Sequence, residues 1–368
     1  MAEVRDISAV ALPMTAGIAL IHAAGSFSFI VTNPSVSSTA SFIAFLLLAL
    51  LMNPGRRNWP PVLIWTIVSA LSLFTGMTIA LTGLHTGISS IPTEHFMERH
   101  AGMFLNSLTD TVDGIPFRKE DTGALVKALI TGARHDLGKE LTGAFRDSGA
   151  SHILALSGFH IGIIYGILLR ILSFIGNSPS SRKIRSIVII AACGFYTTAT
   201  GAGESLVRAF IFILINETGK MTGRRQDLKS TLMASLIIQL ALSPSSIISV
   251  GFILSYAAMA GIAYIYPRLK RLWPSDGWKP LGWIWNSAAM SIACQVTTGP
   301  IAYYVFGIFP QHFLLTNLIA LPLTGMIMPA AVCIMILSYL GFCPALLIEA
   351  TEFLTQCLIG SLKTIALM

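Results

Sequence analysis

The chain has 368 residues, of which 54% are hydrophobic and only 11% charged, with a formal net charge of +7. Its mean hydropathy is +0.73. Soluble domains carry about 25% charged residues, so this composition excludes a large soluble globule and points to an all-α polytopic membrane protein.

A spanning helix needs about 20 mostly apolar residues. The opening "MAEVRDISAV" is short and mixed in charge, so a first span is expected after it rather than a cleaved signal. Spans are expected near 8–31, 37–52, 62–82, 150–172, 186–201, 205–219, 228–243, 247–266, 284–306, 313–339 and 344–366, about ten or eleven transmembrane helices. Gly and Pro break several of them, which a polypeptide tolerates where neighbouring helices or a wet cavity satisfy the freed backbone. "TATGAGES" and "TTGP" are the expected breaks, with a third at "LSGFH". The reading divides the chain into N-terminal spans at 1–82, an extracytoplasmic loop at 83–149 and a channel core at 150–368.

Charge in the loops sets orientation. Arg56 and Arg57, Arg170 to Arg185, Lys220 to Lys229 and Arg268 to Lys279 all fall in alternate loops. The short loops between them, near 32–36, 202–204, 244–246 and 308–312, carry no Lys or Arg. The positive-inside rule then places the N-terminus in the cytoplasm and the 83–149 loop outside. Most of the basic excess is thereby topology and contact with the lipid bilayer.

Within that loop, Ala124, Leu125, Ala128 and Leu129 recur at helical spacing, as do Leu137, Leu141, Ala144 and Phe145. Two amphipathic helices are expected near 121–132 and 137–148, lying flat at the outer mouth, with Lys127 and Lys139 wet and Gly149 as a cap. His85, His95, His100 and His135, with Glu94 and Glu98, match no metal motif and read as solvated loop residues. The five cysteines, Cys193, Cys294, Cys333, Cys343 and Cys357, lie in apolar segments without zinc-type spacing, so no metal and no other cofactor is expected.

Polar groups inside spans are costly in lipid and default to functional candidates. They are Ser157, Gly158 and His160 in "LSGFH", Arg208 with Glu204 one turn before it, Asn317 ahead of Pro322, and Gln295 and Ser255. Each also has a packing role open to it. Arg208 can lock to Glu204, a span histidine can bond a neighbouring helix, and Gly158, Gly162 and Gly166 form a close-packing face. Taken together, polar groups in so many spans favour an internal polar path. Tyr165, Tyr196, Phe210, Tyr256, Tyr303 and Tyr304 are the aromatics that could stack bases along it. Paired carboxylates, a P-loop and a GxSxG elbow are all missing, so an enzyme is not expected.

Four stretches together resemble the ComEC family of competence proteins: "ALVKALITGARHDLGKELTGAFRDSGASHILALSGFHIGIIYGILL", "SLVRAFIFILI", "GRRQDLKSTLMASLIIQLALSPSSIISVGFILSYAAMAGI" and "TGPIAYYVFGIFPQHFLLTNLIALPLTGMIMP". They occur in the family's order over about 120–340. The resemblance implies an inner-membrane channel that moves single-stranded DNA into the cytoplasm. Its implied partners are a DNA receptor, a nuclease and a cytoplasmic motor. It carries Ser157, Gly158 and His160 onto the family's Ser-Gly-x-His element and Arg208 onto its Arg-Ala step. Asp227, Ser255 and Asn317 fall on three further elements. The region 83–120 is too short for the OB-like domain of full-length members, and no HxHxD cluster of a metallo-β-lactamase-like domain occurs. The residues themselves leave two rivals open: a transporter of another polar or lipid-like substrate, and a membrane scaffold that moves nothing.

Overall fold

The computed structural model describes residues 2–23, 67–73, 75–77, 94–176, 178–223, 227–273, 279–307, 309, 311–342 and 344–368. The expected span at 37–52, the start of that at 62–82, Arg56, Arg57, Arg224, Arg225, His85 and Cys343 lie outside the described residues, as do the side chains of Glu94, His95, Glu98 and His100.

The described residues are helical, with no strand among them. In chain order the helices are α1 (Ala2–Ala23), α2 (Glu94–Asp113), α3 (Glu120–Thr131), α4 (Lys139–Asp147), α5 (Ser151–Leu154), α6 (Gly158–Ile171) and α7 (Pro179–Ala199). There follow α8 (Glu204–Met221), α9 (Leu228–Leu242), α10 (Val250–Ala260), α11 (Tyr266–Lys270), α12 (Lys279–Phe306), α13 (Phe313–Tyr339) and α14 (Ala345–Ala366). A short helical stretch also covers 67–73 and 75–77. A π-turn at Gly261–Ile265 joins α10 to α11. The all-α membrane class holds. Four stretches among the described residues are long and apolar enough to cross a bilayer: Gly158–Ile175, Val250–Lys270, Phe313–Tyr339 and Ala345–Ala366. α7, α8 and α12 have the length, at 21, 18 and 28 residues, but polar side chains dilute their hydropathy.

Two compact units form, residues 1–94 with 211–256 and residues 95–210 with 257–368, and the chain passes between them at the start of α2 and within α8 and α10. In the first, α1 packs on α9. The backbone of α1 also meets the 67–77 stretch directly, because Gly17 lies against the Leu73 carbonyl and Gly76 against that of Met14. A side chain at either glycine would force the two helices apart.

In the second unit, α13 and α14 pair along their lengths, and α3, α4 and α5 cover them. Leu125, Leu129, Leu141, Phe145 and Ile153 close one core with Ile327, Met328, Ile334, Leu358 and Leu362. The helix ends follow local chemistry. Gly132 adopts a left-handed φ of 80° after α3 and its N–H donates to the Ala128 carbonyl. Gly149, at φ 81°, terminates α4 as its sequence suggests. Asp227 caps α9 by accepting from the Lys229 N–H at 3.2 Å.

Three expectations need correction. Lys127 on α3 is not wet. Val126, Lys127 and Ala128 are as buried as Leu125 and Leu129, because α13 and α14 cover one side and the Lys127 ammonium is taken up by Asp113 and Asp136, each at 2.7 Å. The "TTGP" break is absent: α12 runs through Pro300 without interruption. The third is the base-stacking role of Tyr196, which is 6% exposed. Tyr196 donates its hydroxyl to the Ile130 carbonyl at 2.8 Å, and Tyr256 donates to Gln239 at 3.1 Å and Ser235 at 3.3 Å.

Salt bridges and hydrogen bonds tie α14 to the covering layer along most of its length. Arg118 pairs with Glu349 at 2.6 Å, and Glu352 accepts from the Lys119 N–H at 2.9 Å. Gln356 donates to Thr122 at 3.1 Å, and Lys363 pairs with Glu140 at 2.7 Å. Thr316, at the start of α13, donates to the Ser148 carbonyl at 2.6 Å.

Candidate functional site

The break expected at "LSGFH" is present. α5 ends at Leu154, Ala155 and Ser157 are extended, and α6 starts at Gly158. Ser157 is the N-cap of α6. Its hydroxyl accepts from the Phe159 N–H at 3.3 Å, while its own N–H donates to His160 Nδ1 at 3.3 Å. This is a capping box with histidine in the place usually held by Glu or Gln. An Nδ1 that accepts is unprotonated, so the proton of the neutral ring sits on Nε2. His160 is 0% exposed, and that Nε2–H has no hydrogen-bond partner among the described residues.

Gly158 brings a second element to the same place. A Cβ there would stand 3.2 Å from the Ala209 methyl and 3.6 Å from a guanidinium nitrogen of Arg208. Arg208, on α8 and 8% exposed, therefore lies against the first turn of α6. Both are positive: the guanidinium by its charge and the helix start by its dipole. Glu204 opens α8, where a carboxylate suits the helix dipole.

α13 supplies the facing side. Asn317 lies beside the His152 ring, and its Oδ1 is buried without a hydrogen-bond partner among the described residues. The same holds for Thr324 Oγ1, one residue before Gly325, over which the Phe159 ring packs. Gln295 stands apart on α12 against Gly299, with Nε2 likewise buried and unpartnered. Each such group costs about 1–3 kcal/mol unless a solvent molecule or polar ligand satisfies it.

Of the residues singled out from sequence, the structure thus gathers Ser157, Gly158, His160 and Arg208 around one helix start. Asn317 lies on a helix packed against α6. Asp227 and Ser255 belong to the other unit, Asp227 as a helix cap and Ser255 buried on α10. The sequence reading did not place His152 or Arg134 among the site residues, and both act electrostatically on the His160 ring. His152 lies only eight residues before His160, but Arg134 comes from the covering layer, at a distance no local pattern reveals. A Ser-x-x-His run ahead of an apolar helix was the available sign of the capping box.

The chain is 26% identical over 237 residues to ComE operon protein 3 of Bacillus subtilis (strain 168), which covers 64% of this chain and 28% of that protein. It is 24% identical over 261 residues to the uncharacterized protein YcaI of Escherichia coli (strain K12), covering 69% of this chain and 33% of that one. The chain thus spans about a third or less of these relatives. No solved structure matches it. The family model described as Competence protein matches residues 129–368, which include the α5–α6 elbow, α8 and all of α12 to α14. The chain belongs to the Competence protein family.

Proposed function

We propose that this chain forms the membrane-embedded part of a DNA-uptake apparatus, a conduit through which one strand of DNA enters the cytoplasm. Family membership supports a role in competence. The observation that carries the conduit is the set of buried polar atoms with unmet hydrogen-bonding capacity, on α6, α12 and α13, inside an otherwise apolar bundle. A polyanion with stackable bases needs donors along its way, and His160, Arg208 and Gln295 supply them, while the open Asn317 Oδ1 can accept from a base amino group. In this reading the protein sits in the plasma membrane with its N-terminus in the cytoplasm and 83–149 outside. It works by transport rather than catalysis.

The test is uptake of fluorescent DNA by cells lacking the gene and complemented with variants, with abundance measured on the same cells. His160→Ala and Asn317→Ala should each lower uptake about tenfold, the equivalent of one lost contact to a charged group, at unchanged abundance. Arg208→Lys should fall between wild type and Arg208→Ala, since lysine keeps the charge but loses the planar fork. Normal uptake in the His160→Ala, Asn317→Ala and Arg208→Ala variants at normal abundance would rule out the path.

A further inference from the structure

We infer that the indoles where α11 gives way to α12, with the cations around them, form a stacking platform for single-stranded nucleic acid. The inference rests on the reading of the chain as a DNA conduit and gives the strand a second contact, away from the bundle core. Four of the chain's six tryptophans fall between 273 and 285. Trp273 follows α11, and Trp283 and Trp285 stand in the second turn of α12. The Trp273 and Trp285 rings stack, with centroids 6.4 Å apart and planes 29° from parallel. Trp285 is held in place by its Nε1–H, which donates to the Leu269 carbonyl at 3.1 Å. Trp273 rests on α12, its Nε1 lying 3.5 Å from where a Cβ on Gly282 would stand. Both stacked rings are half-buried, and Trp283 is 54% exposed.

Charge is the second observation, and it does not depend on the rings. Arg268, Lys270, Arg271 and Lys279 are all exposed. None of them joins a salt bridge among the described residues. In the sequence, Asp276 is the only acid in 228–348. Lys270 and Trp273 belong to one turn, closed by the Trp273 N–H on the Lys270 carbonyl at 3.4 Å. A base laid on Trp273 thus extends the indole stack, with Lys270 and Arg271 close by in the chain for its phosphates. Cations that follow phosphates and flat rings that take bases are what a single strand requires.

A lipid surface is the rival occupant, because Leu272 and Leu281 are exposed beside the rings. Bilayer interfaces also collect tryptophan and basic side chains, but there the polar edge of the indole faces the wet headgroup level. Trp285 has committed its N–H to a backbone carbonyl and turned its face to another ring. That geometry serves stacking rather than anchoring. By the charge rule this loop is cytoplasmic, where a strand would leave the conduit.

The experiment uses the full chain in an uncharged maltoside detergent. Its probes are a short oligothymidylate, an abasic strand of the same length and a short-chain phosphatidylglycerol. Binding is read from the anisotropy of labelled strands and from tryptophan emission. The oligothymidylate should quench that emission and bind about tenfold more tightly than the abasic strand. Trp273→Leu should abolish the preference, and Trp273→Tyr, which keeps a flat ring, should restore most of it. Lys270→Gln with Arg271→Gln should weaken both strands alike and flatten their salt dependence. Thermal unfolding of each variant separates a lost platform from a lost fold. Should Trp273→Leu not fold, the two strands compared on the wild type still decide the matter. Equal affinity for them, or an unchanged preference in folded Trp273→Leu, would overturn the platform and leave the conduit standing. Emission that responds to phosphatidylglycerol and to neither strand would make the patch a membrane anchor and overturn the platform too. Trp273-dependent binding, with normal uptake in the His160→Ala, Asn317→Ala and Arg208→Ala cells, would keep the platform and remove the conduit.

Discussion

Tyr196 shows what a single buried hydroxyl does here. Its donation to the Ile130 carbonyl satisfies a group in the last turn of α3 that no helical N–H can reach. Tyr196→Phe keeps the ring and strands that carbonyl. It should cost about 1–3 kcal/mol of stability, read by thermal or denaturant unfolding in detergent. Ser157→Ala should cost about 0.5–2 kcal/mol through loss of the cap of α6. The sequence marked Ser157 and His160 because polar side chains are dear in an apolar stretch, and that reasoning located the elbow. It did not reveal that the two bond each other. Tyr196 was misjudged for the opposite reason: aromaticity is visible in a sequence, whereas the backbone carbonyl that claims a hydroxyl comes from 66 residues away.

At the scale of elements, Lys127 locks α2, α3 and the loop before α4 together. Its pKa is raised by the hydrogen bonds it donates to Asp113 and then Asp136, and that of Asp136 is lowered by the bond it accepts from Lys127. The raised lysine contributes stability that is complete below its ordinary value of 10.5 and lost as pH rises through the folded value. The lowered aspartate contributes stability present above its ordinary value of 3.8 and lost as pH falls through the folded one. The protection of α3 against hydrogen exchange, corrected for the intrinsic pH dependence of amide exchange, should therefore be flat between those limits and fall only outside them. Asp113→Ala with Asp136→Ala should loosen α3 more than Lys127→Met, because it leaves a buried ammonium alone, whereas the two acids are part-exposed and can turn to water. Proteolysis within 120–131 would rank the variants. The bounds of α3 and α4 were legible within two residues from apolar spacing and the glycines that follow. The fate of the α3 polar face was not: a lysine at that spacing reads as wet until its two acids, far apart in sequence, are brought to it.

For the whole molecule, the charge pattern and the long apolar runs made the membrane class plain. The number of crossings was harder to read, and α14 shows why. Its composition suits a span, yet Glu349 and Lys363 both pair with exposed partners in the single segment 118–140. Fourteen residues of helix separate them by about 21 Å, short of the roughly 30 Å of a hydrocarbon core. These pairings predict that both ends of α14, a stretch long and apolar enough to cross a bilayer, are reached from the same side. Single cysteines at 120, 349 and 363 should all react with an impermeant reagent added outside, while cysteines at 182 and 270 should not. Reaction of 349 and 363 from opposite sides would show that α14 crosses the bilayer despite those pairings. Hydropathy could not reveal this, because the polar face of α14 is matched by partners more than 200 residues away.

Those distant pairings also impose an order in time. Arg118 and Glu349 are 231 residues apart, and Glu140 and Lys363 are 223 apart. At about 5–20 residues per second, the ribosome makes α3 and α4 roughly 10 to 45 s before α14 exists. Throughout that interval Leu125, Leu129, Leu141 and Phe145 have no α14 to cover them. The nascent layer must rest its apolar side on lipid or on the insertion machinery, and give up that support when the last helix arrives.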